Sequence, residues 1–408
     1  MDSILTKENS KNNYYAFIWH GIFLSLATNF MDIHTIIPSM LIKAGGNAIL
    51  LGILTTIMVG GSSLMQIVFA GYLSNKTNKK APLILGINLR VIALLFLAFI
   101  LLQSEFFSNN AIILFIFILI SIFSFSGSFA NISYIDIVGK SIIDKKRKHF
   151  FSLKQTISSI GIFASAIIVR ALLKRFSYPV NYGISLLCAG ILLLIASIGF
   201  WKINEIVIKI KNKRKFWEYI KIIPREISEN SNLKNYLFII NLLGLGLSFI
   251  PFMVLFAKKN FELNYGLIGN ILLFKIIGML VTSLILYKIS RKIDYKKLLY
   301  FSFAIGISIP IFSLIFSSNY FMYQLIFILA GVLLSSFKIA KNGILVEISN
   351  NENRATYTGI SGAGSILPTI FPLITGILIT ILGYYFTFIL VLLIIASSSI
   401  FIKNLKCE

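Results

Sequence analysis

Residues 71–102 read GYLSNKTNKKAPLILGINLRVIALLFLAFILL. A short turn rich in Asn and Lys runs directly into an apolar stretch whose polar side chains are Asn88 and Arg90. About 20 mainly apolar residues suffice for an α-helix to cross the hydrocarbon core of a bilayer. The lysine-rich turn in front cannot enter hydrocarbon, so it marks one face of a membrane.

The rest of the chain repeats this pattern. Of 408 residues, 57% are hydrophobic, and mean hydropathy is +0.86. Charged residues make up 13%, against roughly 25% in soluble domains. That composition excludes a soluble enzyme, a disordered chain and a disulfide scaffold, and predicts an all-α integral membrane protein. Twelve apolar stretches are expected near 15–42, 48–73, 82–102, 111–139, 151–173, 181–203, 235–257, 266–289, 298–317, 320–347, 357–380 and 383–402. Residues 1–13 have no basic segment leading a short apolar core, so the first stretch is expected to stay as an anchor. The two cysteines, Cys188 and Cys407, differ too much in expected environment to pair or hold a metal.

The net charge of +23, from 38 Lys and Arg against 15 Asp and Glu, is a topology signal. The loops of one side carry Lys43, Arg170, Lys174, Arg175, Lys258 and Lys259, and most other basic residues fall on the opposite side. Basic loops stay cytoplasmic, so both termini are expected inside a multi-pass cytoplasmic (inner) membrane protein. The same charges attract anionic membrane lipids and give no reason to invoke nucleic acid. A division follows: a six-helix bundle over 1–203, a basic linker over 204–234 and a second six-helix bundle over 235–408. In the linker, Lys209 to Lys215 precede Phe216, Trp217 and Tyr219, a pattern suited to a helix lying on the inner leaflet.

The two halves echo one another. Ile37-Pro38-Ser39-Met40 ends the first stretch, and Ile250-Pro251-Phe252-Met253 ends the seventh. At nearly the same separation, the turn Gly71 to Lys80 matches Tyr287 to Lys296. Basic residues at 146–148 similarly match Arg354. Two parallel repeats with both termini inside imply an axis along the membrane normal.

With these features the chain resembles the major facilitator superfamily of secondary transporters, through its helix count, 6+6 division and basic linker. The sharpest match is the turn after the second stretch, where the family places Gly, three residues, Asp, a basic residue, one residue, Gly and further basic residues. Here Gly71, Lys76, Lys79 and Lys80 fit, Asn75 replaces the acid and Asn78 the second glycine. The resemblance implies that Gly71, Asn75, Lys76, Lys79 and Lys80 form a gating loop. Asn75 leaves that loop without the carboxylate of the family's charge–dipole latch. The fifth stretch, around Gly161, lacks the proline usual in the family's drug antiporters.

No phosphate-cradling loop, metal-ligand spacing or acid–base cluster is present, so no cofactor, no metal and no enzymatic activity are expected. The Gly359-Ile360-Ser361-Gly362-Ala363-Gly364 run opens an apolar helix and suits close helix packing. Energy would then come from a gradient, and the resemblance implies a proton as the coupling ion. The resemblance places the site between the bundles, along helices 1, 2, 4, 5, 7, 8, 10 and 11.

Ionisable residues inside spans cost roughly 2.5–3.5 kcal/mol on insertion scales, so they point to function. Asn29 and Asp32 share a face of the first stretch, where Asp32 suits proton or substrate binding, or a partner cation. Gln66 lies on a polar stripe of the second. Asn131 and Asp136 lie in the fourth, where Asp136 also stands one turn from Lys140. Lys275, mid-span in the eighth, is the leading candidate for an anionic group, with an ion pair as the other reading. Lys338 and Lys341 follow in the tenth, where reaching to headgroups is equally open. The excess of lysine points to a small anionic or zwitterionic substrate, and the resemblance implies that it is moved by alternating access. Efflux of an amphipathic compound is the second reading, and a non-transporting scaffold or lipid-handling protein the third.

Overall fold

The computed structural model describes residues 6–74, 76–142, 144–205, 224–261, 265–289, 294–348, 357, 360–362 and 364–406, and these residues contain helices and turns without strands. The helices are α1 (Lys7–Thr28), α2 (Ile36–Lys43), α3 (Ala48–Ser74), α4 (Lys80–Leu102), α5 (Asn109–Ser141), α6 (Asp144–Arg175) and α7 (Val180–Trp201). Then come α8 (Ser231–Leu242), the short α9 (Leu245–Ser248), α10 (Ile250–Asn260), α11 (Tyr265–Ile289), α12 (Tyr295–Ile315), α13 (Tyr320–Glu347) and α14 (Ile366–Asn404). Most of the basic linker, residues 206–223, lies outside the described residues, as do Asn75 and Arg354.

Among the described residues, ten helical stretches are long and apolar enough to cross a membrane. The chain is thus a multi-pass membrane protein. This number reconciles with the expected twelve in two places. The stretch Ile360–Asn404 holds two spans joined at Gly383, whose φ of 77° and ψ of 176° interrupt the helix. Only glycine adopts that conformation without strain, because a Cβ would collide with its own backbone. The remaining span is α3, of which Ala48–Gly61 is apolar over a shorter length.

Packing divides the chain into two compact units, Met1–Asp32 with Leu64–Glu218, and Ile33–Ser63 with Tyr219–Glu408. In the first, α4 packs on α5 and α7, and α1 on α6 and α7. In the second, α11 and α12 pack on α13, α14 on α8 and α12, and α2 on α10. Without hydrophobic drive between helices in lipid, close approach of small residues holds them together. A Cβ on Gly278 would strike the carbonyl oxygen of Ile328, and one on Gly331 that of Lys275, so both glycines set the α11–α13 spacing.

The span that opens each half is broken. A 3-10 turn (Asn29–Met31) separates α1 from α2, and α9 separates α8 from α10. Pro38 and Pro251, the echoed prolines, each sit in the first turn of the helix after the break. That position suits proline, since the N–H it lacks has no partner inside the helix there.

Three further hydrogen-bond patterns recur in the two units. Asn13 Nδ2 donates to the Asn204 carbonyl at 2.9 Å, and the Asn204 N–H returns a bond to Asn13 Oδ1 at 2.8 Å. In the other unit Asn232 exchanges the same two bonds with Lys406, both at 3.0 Å. Lys80 Nζ donates to the carbonyls of Trp201 and Ile203 at 2.8 and 2.7 Å; Lys296 Nζ donates to those of Lys403 and Leu405 at 3.0 and 2.7 Å. At the breaks, Asn29 Nδ2 donates to the Ile162 carbonyl at 2.5 Å and to Ser165 Oγ at 2.9 Å. Asn241 likewise donates to the Gly364 carbonyl at 2.7 Å and accepts from the Leu367 N–H at 2.8 Å. Each half thus ties its first span to its fifth and sixth.

Asn13 is fully buried, whereas the Asn232 pair is exposed. Replacing Asn13 by Ala takes two part-buried hydrogen bonds from the Asn204 backbone, each worth about 0.5–1.5 kcal/mol. Asn232→Ala lets water take over. The thermal midpoint in detergent should therefore fall clearly for Asn13→Ala and little for Asn232→Ala; equal falls would contradict this account.

Candidate functional site

The candidates separate into three groups. The first surrounds the turn between α3 and α4. Lys79 Nζ lies 2.9 Å from Asp136 Oδ1 on α5, and Lys140 reaches the other oxygen of that carboxylate from one turn away. Asp136 therefore joins the turn to α5 instead of serving Lys140 alone. Glu205, which the sequence did not single out, accepts from the Lys79 N–H at 2.8 Å and from the Lys80 N–H at 2.7 Å. It caps the positive end of α4. Meanwhile the Lys80 ammonium covers the carbonyls at the negative end of α7. Lys76 is exposed. Asn75 and the side chains at positions 66 and 71 lie outside the described residues, so Gln66, Gly71 and Asn75 gain no structural account.

The second group lies in the first unit among α1, α5 and α6. Lys154 Nζ donates to Tyr134 Oη at 2.6 Å and stands 4.6 Å from the centre of its ring. Gly21 leaves room for the Lys154 stem, which would lie 3.3 Å from a Cβ there. Phe17 meets Tyr134 edge-on at 5.4 Å, and His20 lies 6.0 Å from it and 4.0 Å from Phe200. Lys154 precedes the apolar window Ile157–Arg175 by one turn, so in sequence it looks like the end of the basic segment before it. Nearby, Asn29 is fully buried and Asp32 is 8% exposed. Asn29 holds the broken first span against α6, leaving its Oδ1 with no hydrogen-bond partner among the described residues. Asn131, one turn before Tyr134, is exposed.

The third group lies in the second unit. Lys275 is 1% exposed in the middle of the apolar window Gly266–Leu286. Polar bridges between α11 and α13 flank it: Asn270 Nδ2 donates to Gln324 Oε1 at 2.8 Å, and the hydroxyls of Ser283 and Ser335 meet at 2.7 Å. The two lysines of α13 do not share one environment. Lys338 is exposed, whereas Lys341 is half-buried with its Nζ 3.5 Å from Ser365 Oγ, at the start of α14. Among the described residues no group of three His, Cys, Asp or Glu is placed to hold a metal ion.

Residues 236–404 match the family model described as the Major Facilitator Superfamily. No curated protein shows significant similarity to the sequence. Among solved structures, a POT family transporter in complex with 5-aminolevulinic acid matches with a TM-score of 0.69 at 14% identity, covering 96% of each chain. The nucleoside transporter NupG matches with a TM-score of 0.65 at 14% identity, covering 97% of this chain and 98% of its own. A bacterial homolog of the human lysosomal transporter Spinster, inward-facing and unoccupied, matches with a TM-score of 0.66 at 11% identity, covering 98% and 97%.

The Glu205 cap and the Asp136 pair make separable predictions. Loss of a helix cap costs about 0.5–2 kcal/mol, whereas the Lys79–Asp136 pair, with side chains 11% and 26% exposed, keeps water on its carboxylate side and is worth about 1 kcal/mol. Glu205→Ala should lower the thermal midpoint more than Asp136→Asn. The reverse order would remove Glu205 from its role.

Proposed function

We propose that this chain, of major facilitator type by sequence over residues 236–404 and by fold over its whole length, is a secondary transporter rather than an enzyme. In this reading it moves a small anionic or zwitterionic solute across the cytoplasmic membrane by alternating access. The bundles 1–203 and 235–408 rock about a midplane site, joined by the linker 204–234, with both termini in the cytoplasm and a proton as coupling ion. The observation that carries the solute class is Lys275, an ammonium buried at 1% exposure in mid-span. A cation held there costs several kcal/mol unless function or a partner repays it. Lys154 supports the same reading from the other half, because its ammonium is set against Tyr134 at the mouth of an apolar span. A solved structure of similar fold, the POT family transporter in complex with 5-aminolevulinic acid, an amino acid by its name, supports this reading.

Asp32 is the proposed proton carrier, with Asn29, Gln66, Asn131, Lys338 and Lys341 as further contacts. Gly71, Asn75, Lys76, Lys79 and Lys80 form the proposed gating loop, with Asp136 as its anchor. A second reading, efflux of an amphipathic compound, draws on the aromatic wall of Phe17, Tyr134 and Phe200 around Lys154.

Thermal stability against a panel of metabolites separates the two readings, because a ligand stabilises only by preferring the folded form. At a hundred times its Kd a solute adds about 2.7 kcal/mol. Stabilisation by carboxylates, phosphorylated compounds or amino acids, lost in Lys275→Ala and weakened in Lys154→Ala, is the expected result. Stabilisation by lipophilic cations alone would overturn the anionic reading in favour of efflux.

A further inference from the structure

The repeated hydrogen bonds allow the two halves to be compared position by position, and at one place they differ sharply. Matching Asn13 to Asn232 sets Trp19 opposite Phe238; matching Asn204 to Lys406 sets Gly199 opposite Phe401 and Lys202 opposite Asn404. In the second unit Phe238 and Phe401 stack at 4.4 Å with their planes 13° apart, filling the space between α8 and the end of α14. In the first unit the matching space is open. It forms a groove of about 400 Å³ lined by Asn12, Tyr15, Ala16, Trp19, Ile198, Gly199 and Lys202. Gly199 forms its floor by letting α7 lie close against α1, since a Cβ there would meet the Ala16 carbonyl at 2.5 Å and Trp19 Cδ1 at 3.2 Å.

The walls grade from apolar to charged along the helix axes. Ile198 and Trp19 are 45% and 42% exposed, Tyr15 is 60% exposed, and Asn12 and Lys202 close the end where α1 begins and α7 stops. That is the level of a membrane–water interface, where Trp and Tyr set rings at headgroup depth and lysine meets phosphate. The indole is held in place by its N–H, which donates to the Ile195 carbonyl at 2.8 Å. The negative end of α7 would repel an anion, but the Lys80 ammonium covers the carbonyls of Trp201 and Ile203. Glu8, one turn before Asn12, is flanked by Lys7 and Lys11.

We propose that this groove binds one phospholipid from the leaflet that holds the N-terminus, with its phosphodiester on Lys202 and Asn12 and an acyl chain along Trp19 and Ile198. The site belongs to the first half alone, because Phe401 plugs its counterpart. The transport reading is independent of it.

Native mass spectrometry of the delipidated full chain, titrated with dioleoyl-phosphatidylglycerol, tests the proposal. One adduct should saturate ahead of the rest. Lys202→Ala should weaken it about fivefold, the worth of one lysine near an anionic headgroup. Ile198→Trp, a change at an exposed wall, should fill the groove and remove the adduct while the protein stays monodisperse. Lys174→Ala, in the last turn of α6 at the other end of the first half, should leave it unchanged. Equal binding by wild type, Lys202→Ala and Ile198→Trp would overturn the site and leave only annular lipid.

Discussion

Helix ends are the costly part of a membrane protein. Inside a helix each N–H and carbonyl is paired, but the last turn leaves four carbonyls without partners, and near hydrocarbon water cannot be relied on to take them. This chain meets that cost the same way twice. Lys80 covers the end of α7 and Lys296 the end of α14, each reaching two carbonyls two residues apart. Each ammonium also opposes the negative end of a helix dipole. Because those lysines open α4 and α12, the third span of each half is registered against its sixth. The asparagine exchanges at 13 and 232 add the first and seventh spans to the same corners.

How much of this the sequence revealed depends on the range of each signal. Span positions were legible because hydropathy acts locally over a single helix. Lys80 and Lys296 fall opposite each other when the two lysine-rich turns are matched, so that bond could be anticipated as a repeat. The asparagine pairs could not. Each is a single residue, and loops of unequal length shift its register between the halves. Glu205 escaped because its partners lie 125 and 126 positions away, and nothing near it hints at a helix start. Lys154 escaped because it lies at the very start of the expected fifth stretch, one turn before the apolar window of α6, and reads as the end of the basic segment before it. The joined final spans were readable: the expected boundary between 380 and 383 falls at the turn formed by Gly383.

The same comparison shows where scaffold ends and chemistry begins. Among the described residues the bonds that hold spans together recur, whereas the groups proposed to meet a solute or lipid do not. Lys154 with Tyr134 belongs to the first unit, Lys275 to the second, and the groove at Gly199 has its counterpart stacked shut by Phe401 and Phe238. Such divergence suits a protein whose halves share one fold but contribute different contacts to a common task. It also explains why fold likeness at 11–14% identity carries over the architecture and leaves the solute to be read from individual residues.

Transport itself is the claim on which the rest turns. Purified protein in nucleotide-free proteoliposomes can be exposed to a mixed metabolite panel under an imposed pH gradient, with the vesicle contents read by mass spectrometry. The account predicts that an anionic or zwitterionic solute accumulates beyond protein-free vesicles, faster when the same solute is preloaded, and that Lys275→Ala abolishes it. Contents indistinguishable from protein-free vesicles for every solute would contradict a transporter and return the scaffold reading.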